Sequence, residues 1–456
     1  MQQQKTGYVH KSASTDTIAA ISTALGHSGI AVVRISGSDA VNVVRRLVKR
    51  QDFPEAGKMY LTSLLDDEGR VIDRVLAVKF VKPKSYTAED VVEIHTHGGS
   101  LTARTCLELA LKNGARLAEP GEFTRRAFLN GKIDLSQAEG VLGVIQAVSQ
   151  EALHAAARTL TGELSRRVHA VHDEILALQS SLEIQLDFPE GETAGDDISG
   201  GLGRVVSELQ GLVSQCSAGM ILREGVRVVI AGRPNAGKSS LMNALLGRKR
   251  AIVTDIPGTT RDLIEEGLLI NGLPVRLTDT AGLRDSEDVI EAEGVRLALE
   301  AVSEGDICLY VIDASCELAD EDREYMMLLE GRKVIVLLSK SDLPERIAVS
   351  DISLPVLRVS AKTGAGVDAV KEAVYELSCG ESALSEGLNA SVSQLEELKG
   401  SLQAVREALD SLLSGIGEDV TAGLLGTARV SLLRVLGIDA GDELLDAMFS
   451  RFCVGK

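Results

Sequence analysis

The chain has 456 residues, too many for one hydrophobic core, so two or three domains are predicted. Its 45% hydrophobic and 25% charged residues give the composition of an ordinary soluble globular protein, and with 3% aromatic residues and no Trp its cores must be filled by aliphatic side chains. The formal net charge of −18 argues against a protein that coats nucleic acid non-specifically, because such a protein needs a surplus of Lys and Arg; a local basic surface is not excluded.

The six cysteines are scattered without a CxxC pair, which favours free thiols over a disulfide framework or a zinc site. The segment MQQQKTGYVHKSAS has no apolar core of the signal-peptide type. No stretch approaches the length of a membrane span. We therefore expect a cytoplasmic protein that does not enter a membrane.

The first part of the chain, residues 1–127, mixes short strands with helices. TIAAISTA and GIAVVRISG are predicted strands, and SDAVNVVRRLV is a predicted helix capped by Ser38 or Asp39. MYLTSLL and RVLAVKFV flank the turn signal DDEG, and DVVEIHTHGG is a further strand. This mixture predicts an α+β domain.

Helical periodicity then dominates residues 128–222 and returns in residues 382–456. Between these stretches, VRVVIAG, LPVRLTD, DICLYVID and KVIVLLSK are apolar strands at wide spacing, which is typical of a mostly parallel sheet covered by helices. We therefore predict an α/β domain, residues 223–381, inserted into a helical domain that is split in sequence.

A phosphate-binding loop is predicted at Gly232–Ser239, because GRPNAGKS matches G-x-x-x-x-G-K-[ST] and follows the strand VRVVIA. The glycines let successive backbone N–H groups face phosphate oxygens, and the helix that follows adds its positive end. Lys238 can neutralise the outer phosphates, and the Ser239 hydroxyl can bind Mg²⁺.

Four shorter motifs follow in the order expected of a GTPase. In DTAG, Asp279 can hold the metal through water and Gly282 can meet the γ-phosphate, while PGTTRD lies where a switch loop belongs and offers Thr260 to the metal. SKSD resembles the guanine-reading NKxD motif, with Asp342 as the guanine ligand, and Ser360-Ala361-Lys362 resembles the loop that receives guanine O6. Each motif alone is weak, but the set around one loop favours GTP over ATP.

Two positions depart from the common GTPase pattern. Ser339 replaces the usual Asn of NKxD and loses an amide that ties the base loop to the phosphate-binding loop, so we expect somewhat looser nucleotide binding. Leu283 stands where Ras-like proteins carry the Gln that orients water, and an aliphatic side chain cannot replace it. The candidate carboxylates, which the residues alone do not separate, are Glu287, Asp288, Glu291 and Glu293.

No arginine finger is assigned, because helix-end or phosphate-independent roles fit Arg233, Arg261 and Arg284 at least as well. Asn235 is a candidate ligand for a monovalent cation near the phosphates, which could offset transition-state charge as an arginine finger does.

The whole chain resembles the MnmE (TrmE) family of tRNA-modifying GTPases. The resemblance rests on REGVRVVIAGRPNAGKSSLMNAL, AIVTDIPGTTRD, DTAGLR, EPGEFTRRAFLNGKIDLSQAE and the terminal FCVGK, of which the last two lie outside the GTPase motifs and are the most specific. It implies a potassium-activated GTPase whose G domains dimerise across the nucleotide, and it singles out Glu291 as the residue that positions the attacking water.

The resemblance also assigns ligands. It places K⁺ at Asn235, Thr254, Ile256 and Thr259, and Mg²⁺ at Ser239 and Thr260. The residues implied at GTP are Asn235, Ala236, Gly237, Lys238, Ser239, Ser240, Thr254, Asp255, Ile256, Pro257, Gly258, Thr259, Thr260, Asp279, Thr280, Ala281, Gly282, Lys340, Asp342, Ser360, Ala361 and Lys362.

The family's amino-terminal domain resembles tetrahydrofolate-binding one-carbon enzymes and dimerises. Its folate site maps onto Arg34, Glu93, Lys132 and the carboxy-terminal Lys456, of which the cations could meet folate carboxylates and Glu93 could pair with the pterin ring. Without the resemblance, each of these residues would be given an ordinary structural role. His95 and His97 are interpreted as structural, and the role of Cys453 in CVGK is left open.

The implied function is addition of an aminomethyl or carboxymethylaminomethyl group to C5 of the wobble uridine (position 34) of certain tRNAs, with the flavoprotein MnmG (GidA) and methylene- or 5-formyl-tetrahydrofolate. Two rivals are a switch GTPase of the ribosome-assembly type, which needs neither folate nor CVGK, and a folate enzyme with a regulatory G domain, which needs no GTP turnover. An acidic chain that acts on tRNA fits an assembly in which the partner supplies much of the basic surface.

Overall fold

The computed structural model describes residues 16–49, 52–187, 197–247, 265–279, 305–379, 384–438 and 441–456. The chain divides into two compact units. The first comprises Met1–Ala138, Ser165–Gly191 and Gly417–Lys456, and the second comprises Glu139–Leu164 and Glu192–Ile416. Among the described residues, no helix is long and apolar enough to cross a membrane.

The first unit is built on a six-stranded sheet. Its strands are β1 (Ile18–Ile21), β2 (Ile30–Ser36), β3 (Tyr60–Leu65), β4 (Val71–Phe80), β5 (Val91–His97) and β6 (Arg116–Leu117). Their order is β3-β4-β5-β2-β1-β6, and every neighbouring pair is antiparallel except β1 and β6. The predicted turn at DDEG joins β3 to β4.

Alternation along these strands sends apolar side chains to one face of the sheet, where two helices cover them. The helices are α1 (Ala40–Leu47) and α2 (Ser100–Lys112), and Val33, Ile35, Val92 and Ile94 form the core beneath them. Asp39 occupies the N-cap position of α1, although its side chain makes no capping bond to the helix backbone.

The opposite face of β1 is covered by the short helix α3 (Glu122–Leu129). Phe123 of α3 packs with Ile18, Ala20 and Ala118, and all four side chains are buried. Near this helix the end of the chain returns to the sheet, where Val454 forms a β-bridge with Pro120.

The second unit contains another six-stranded sheet. Its strands are β7 (Val226–Ala231), β8 (Glu265–Ile270), β9 (Leu273–Asp279), β10 (Ile307–Asp313), β11 (Val334–Ser339) and β12 (Val356–Arg358). The order is β12-β11-β10-β7-β9-β8, with only β8 antiparallel to its neighbour. Asn271 and Gly272, which join β8 to β9, have positive φ angles of 48° and 83°, as a two-residue type I′ hairpin turn requires.

Among the described residues, three helices connect the strands of this sheet, and the central strands are buried on both faces. The helices are α8 (Lys238–Leu246), α9 (Asp320–Leu328) and α10 (Val367–Cys379). The burial on both faces explains why β7, β10 and β11 are continuous apolar runs rather than alternating ones.

Seven further α-helices lie in the part of the chain that the structure describes. They are α4 (Leu135–Gln146), α5 (Gln150–Leu160), α6 (Glu163–Asp187), α7 (Ile198–Glu224), α11 (Val392–Leu413), α12 (Glu418–Val435) and α13 (Asp442–Phe449). In the second unit, α7 packs along α11, which begins with a capping box formed by Ser391 and Gln394. The predicted fold class, a P-loop α/β domain with a helical domain and an amino-terminal α+β domain, is confirmed.

Candidate nucleotide site and amino-terminal site

The phosphate-binding loop lies between the end of β7 and the start of α8. Gly232 has a φ of 140°, and an added Cβ would lie 2.2 Å from the carbonyl oxygen of Val311, so only glycine fits there. Gly237, at the N-cap of α8, has a φ of 97°. Asn235 between them also has a positive φ, 60°, and is exposed. These angles curl the backbone around the N-terminus of α8.

Lys238 is the first residue of α8, and its side chain folds back over the loop. Its Nζ donates hydrogen bonds to the carbonyl oxygens of Gly232 and Arg233, each at 2.8 Å. Ser239 and Ser240 follow in the first turn of the helix and are exposed. A lysine and a helix N-terminus brought to one loop form a site for an anionic phosphate chain.

The motif SKSD begins at the end of β11, next to the phosphate-binding loop. Ser339 is buried, and its hydroxyl donates a 2.5 Å hydrogen bond to the carbonyl oxygen of Ala236. A tie between the base loop and the phosphate-binding loop is therefore present, made by a hydroxyl instead of the amide whose loss the sequence suggested. The looser nucleotide binding expected from that loss stays a prediction.

Lys340 follows with a positive φ of 54°, and its Nζ lies 2.5 Å from Oδ2 of Asp313 at the end of β10. Asp342 is exposed, and its Oδ1 accepts a 2.7 Å hydrogen bond from the hydroxyl of buried Ser360. That hydrogen bond lowers the pKa of Asp342. An ionised carboxylate held in this way can accept the N1–H and amino protons of guanine.

Ser360 also begins the turn that contains Ala361 and Lys362. Its backbone N–H donates to the carbonyl oxygen of Ala365 at 2.9 Å, and its own carbonyl oxygen accepts from Gly364 N–H at 2.9 Å. The two predicted base-reading motifs are thus joined through the Ser360–Asp342 bond, although 18 residues separate the bonded pair in sequence.

The other GTPase motifs are described only in part. Asp279 ends β9 and is the register partner of Ile230 in β7, so DTAG starts beside the strand that leads into the phosphate-binding loop. Sequence predictions that lie outside the described residues concern Thr254, Asp255, Ile256, Pro257, Gly258, Thr259, Thr260, Arg261, Thr280, Ala281, Gly282, Leu283, Arg284, Glu287, Asp288, Glu291 and Glu293.

The amino-terminal site centres on Arg34 and Glu93, which are register partners on β2 and β5. Arg34 Nε lies 2.9 Å from Glu93 Oε1, and both side chains are largely buried. The guanidinium also lies over the Tyr86 ring, 4.9 Å from its centroid, and 5.7 Å from that of Phe123. Glu93 Oε2 also lies 3.3 Å from His95 Nε2. The sequence interpretation of His95 as a structural residue did not name this partner.

The end of the chain enters this site. The carbonyl oxygen of Gly455 accepts hydrogen bonds from Ser22 Oγ at 3.0 Å and from Arg34 Nη1 at 3.5 Å. The backbone N–H of Phe123 donates to the Lys456 carbonyl oxygen at 3.1 Å. Gly455 has a φ of 98°, and an added Cβ would lie 2.4 Å from the Ile21 carbonyl oxygen.

The pKa values of Lys132 and Lys456, the two lysines assigned to this site, are lowered. Burial, and then the neighbouring charge of Arg34, lower the pKa of Lys456. Burial also lowers the pKa of Lys132, whose Nζ donates to the carbonyl oxygen of Ser85, next to Tyr86. An anion bound beside these ammonium groups would oppose both shifts.

Sequence reasoning missed Tyr86, Ser22 and Gly455 as members of this site. Only Gly455 carried a signal, because a glycine one residue before a docked terminus can mark a close backbone approach. The side chain of Cys453 is exposed and free, and its carbonyl oxygen accepts from Gly121 N–H at 3.4 Å.

Comparison with known proteins decides the family. A family model described as the GTP-binding protein TrmE N-terminus matches residues 17–132, and one described as the MnmE helical domain matches residues 135–453. The chain belongs to the MnmE (TrmE) family of tRNA modification GTPases. The tRNA modification GTPase MnmE of Geobacter sulfurreducens is 44% identical over 97% of this chain and 99% of its own length. That of Heliobacterium modesticaldum is 42% identical with the same coverage.

Membership of the MnmE family makes this chain a GTP hydrolase with a place in tRNA modification. The identity to MnmE proteins extends over both units rather than over the nucleotide site alone, which is not expected of a ribosome-assembly GTPase that shares only the G motifs.

Proposed function

We propose that this chain works with the flavoprotein MnmG to add an aminomethyl or carboxymethylaminomethyl group to C5 of the wobble uridine of certain tRNAs. A tetrahydrofolate derivative would supply the one-carbon unit, and GTP hydrolysis would drive a conformational cycle. The observation that carries the proposal is the seating of the carboxy-terminal tail beside Arg34, which gathers cations and a carboxylate in one site outside the nucleotide loop.

The chemistry of that site suits a folate. Arg34, Lys132 and Lys456 can pair with the glutamate carboxylates, and Glu93 can accept hydrogen bonds from the pterin ring. Lowered lysine pKa values, caused mainly by burial, favour an anionic ligand, because a carboxylate would stabilise the protonated amines. Tyr86, already stacked on Arg34, offers an aromatic surface at the same place.

For the nucleotide site we propose that Lys238 and Ser239 bind the phosphates and Mg²⁺, and that Asp342 reads guanine. Thr260 would complete the Mg²⁺ shell, and Glu291 would position the attacking water. K⁺ would be held by Asn235, Thr254, Ile256 and Thr259. The exposed side chain of Asn235, on a left-handed residue of the loop, supports a ligand role there.

We further propose that the chain acts as a cytoplasmic homodimer that assembles with MnmG into a heterotetramer. We propose that residues 1–127 form a domain for folate binding and dimerisation. Residues 128–222 and 382–456 would form the split helical domain, and residues 223–381 the inserted G domain.

The experiment uses the variant Gly455→Ala. A left-handed alanine costs about 1–2 kcal/mol, and its Cβ would strike the backbone oxygen of Ile21, which cannot swing away. We expect affinity for 5-formyl-tetrahydrofolate to fall at least about tenfold and wobble-uridine modification to be lost, as measured by calorimetry and by mass spectrometry of tRNA from complemented cells. GTP turnover should stay near wild type.

Gly423→Ala is the matched control, because this exposed glycine of α12 has open space for a Cβ. It should leave folate binding and modification unchanged. Full modification by Gly455→Ala, or wild-type protein that binds no folate, would contradict the proposed function.

A further inference from the structure

We propose that Arg233 is a positioning residue that anchors the phosphate-binding loop to helix α9. Its guanidinium reaches away from the loop toward the first turn of that helix. Nε lies 3.0 Å from Glu321 Oε2, and Nη1 lies 3.7 Å from Asp322 Oδ2. The sequence left open whether Arg233 serves the transferred phosphate or another part of the protein.

The carboxylate of Asp322 makes this contact more than a surface ion pair. Its side chain is 4% exposed, whereas that of Arg233 is 44% exposed. Asp322 Oδ1 accepts a 2.9 Å hydrogen bond from the hydroxyl of Tyr310, which is 2% exposed on β10. Burial, reinforced by the charge of Asp322, raises the pKa of Tyr310, so the phenol stays protonated and keeps donating.

A buried carboxylate costs free energy unless opposite charge and hydrogen bonds compensate it. Asp322 receives three kinds of compensation: the phenol of Tyr310, the positive N-terminal end of α9 and the guanidinium of Arg233. The first two groups belong to the sheet and its covering helix. Arg233 is therefore the residue that links the buried Asp322 carboxylate to the phosphate-binding loop.

The backbone of Arg233 transmits the anchoring to the phosphate site. Its carbonyl oxygen accepts from Lys238 Nζ at 2.8 Å and from Ala236 N–H at 3.3 Å. Fixing the Arg233 side chain on α9 therefore fixes the carbonyl oxygen that closes the loop and receives the phosphate-binding lysine. Asp322 and Arg233 are 89 residues apart, so no local sequence motif predicts this contact.

The test compares Arg233→Ala, Asp322→Asn and their double variant in the full chain. Stopped flow with fluorescent GDP gives affinity, and single-turnover assays at saturating GTP give the hydrolysis rate. We expect Arg233→Ala to weaken nucleotide affinity by a factor of roughly ten and Asp322→Asn, which leaves the Glu321 contact in place, by a smaller factor, with hydrolysis at saturation changed less than about threefold in both. The double variant should be no weaker than Arg233→Ala, because that substitution already removes the link to Asp322. Arg233→Lys should restore most of the affinity.

Arg323→Ala is the control, since Arg323 is an exposed residue of the same helix, and it should behave as wild type. Thermal unfolding followed by circular dichroism identifies any variant that fails to fold. If Arg233→Ala fails to fold, the nucleotide affinity of the near-isosteric Asp322→Asn variant tests the proposal. Loss of saturating hydrolysis by about a thousandfold in Arg233→Ala alone, as for an arginine finger, would overturn the proposal. Additive effects in the double variant, or unchanged affinity in Asp322→Asn, would also overturn it.

Discussion

Ser339 lies where strand β11 ends beside the phosphate-binding loop, and its hydroxyl joins the two segments. The Ala236 carbonyl oxygen that it satisfies belongs to a residue that is 4% exposed, so water has little access to replace the bond. A serine is shorter than the usual Asn, yet the 2.5 Å contact shows that this backbone brings the two segments close enough for a hydroxyl.

Removing the hydroxyl in Ser339→Ala should speed nucleotide release. A lost hydrogen bond that leaves a buried carbonyl oxygen unsatisfied costs about 1–3 kcal/mol, so release of fluorescent GDP is expected to be roughly ten- to a hundredfold faster. Preference for GDP over ADP should remain, because the substitution leaves Asp342, the proposed guanine ligand, unchanged. Exposed Ser350 gives the control variant Ser350→Ala. Unchanged release in Ser339→Ala would show that the contact carries no energy.

Residues of the nucleotide site were predictable wherever a local motif fixes both the backbone and the chemistry. Gly232, Lys238 and Asp342 belong to such motifs. The Lys340–Asp313 contact, at 2.5 Å and 27 residues apart, depends on β10 and β11 being neighbours in the sheet. The spacing of residues along the chain does not show which strands are neighbours. Contacts between side chains on neighbouring strands therefore became visible only in the folded structure.

Helix α3 shows the same limit at the scale of an element. It is only eight residues long, and its buried residues include Glu122, Thr124 and Arg126 beside Phe123 and Phe128. Buried polar residues blur the periodicity by which an amphipathic helix is recognised. Similarly, within the helical stretch predicted at residues 128–222, residues 135–187 form three helices, with breaks at Ser149, which caps α5, and at Gly162, whose φ is 82°.

The polar residues of α3 are buried because they form an ion network. Arg126, 3% exposed, contacts Asp16 at 2.7 Å, Glu122 at 2.9 Å and Glu89 at 3.2 Å. Arg116 of β6 adds a 2.7 Å contact to Glu122. The network thereby ties α3 to the strand edge and to the loop that precedes β5.

This network should make the local stability of α3 depend on acid pH. Burial by itself would raise the pKa of Glu122, but hydrogen bonds from Arg116, from Glu119 N–H and from Arg126 outweigh burial and lower it. A folded-state pKa below the unfolded value of about 4.3 means that the stabilisation is complete above that pH. It is lost as the pH falls through the folded-state pKa.

Glu122→Gln should therefore weaken α3 at pH 7, by about 1–2 kcal/mol, and should flatten the decline of its stability below about pH 4.3. Hydrogen exchange of peptides covering residues 116–129, corrected for intrinsic rates, measures both effects. Exposed Glu119 supplies the control Glu119→Gln. An acid decline in Glu122→Gln as steep as in the wild type would mean that another group titrates.

For the whole molecule, the acidic composition has to be reconciled with a role in tRNA modification. A formal charge of −18 repels a polyanion at long range, and affinity for nucleic acid normally comes from Lys and Arg that displace counterions from phosphates. The cations of the amino-terminal site do not fill this need, since the proposed function assigns Arg34, Lys132 and Lys456 to the folate carboxylates. Most of the phosphate contacts should then come from the proposed flavoprotein partner.

The salt dependence of tRNA binding tests this division of labour. For the chain alone, a plot of log affinity against log salt concentration should have a shallow slope, about −1 to −2, which corresponds to about one to three phosphate contacts. Adding the partner should both tighten binding and steepen the slope to about −4 or beyond, because each further neutralised phosphate releases counterions. Fluorescence anisotropy of labelled tRNA, with NaCl varied at constant KCl, gives both slopes. A slope for the chain alone as steep as for the complex would instead place the basic tRNA surface on this acidic chain.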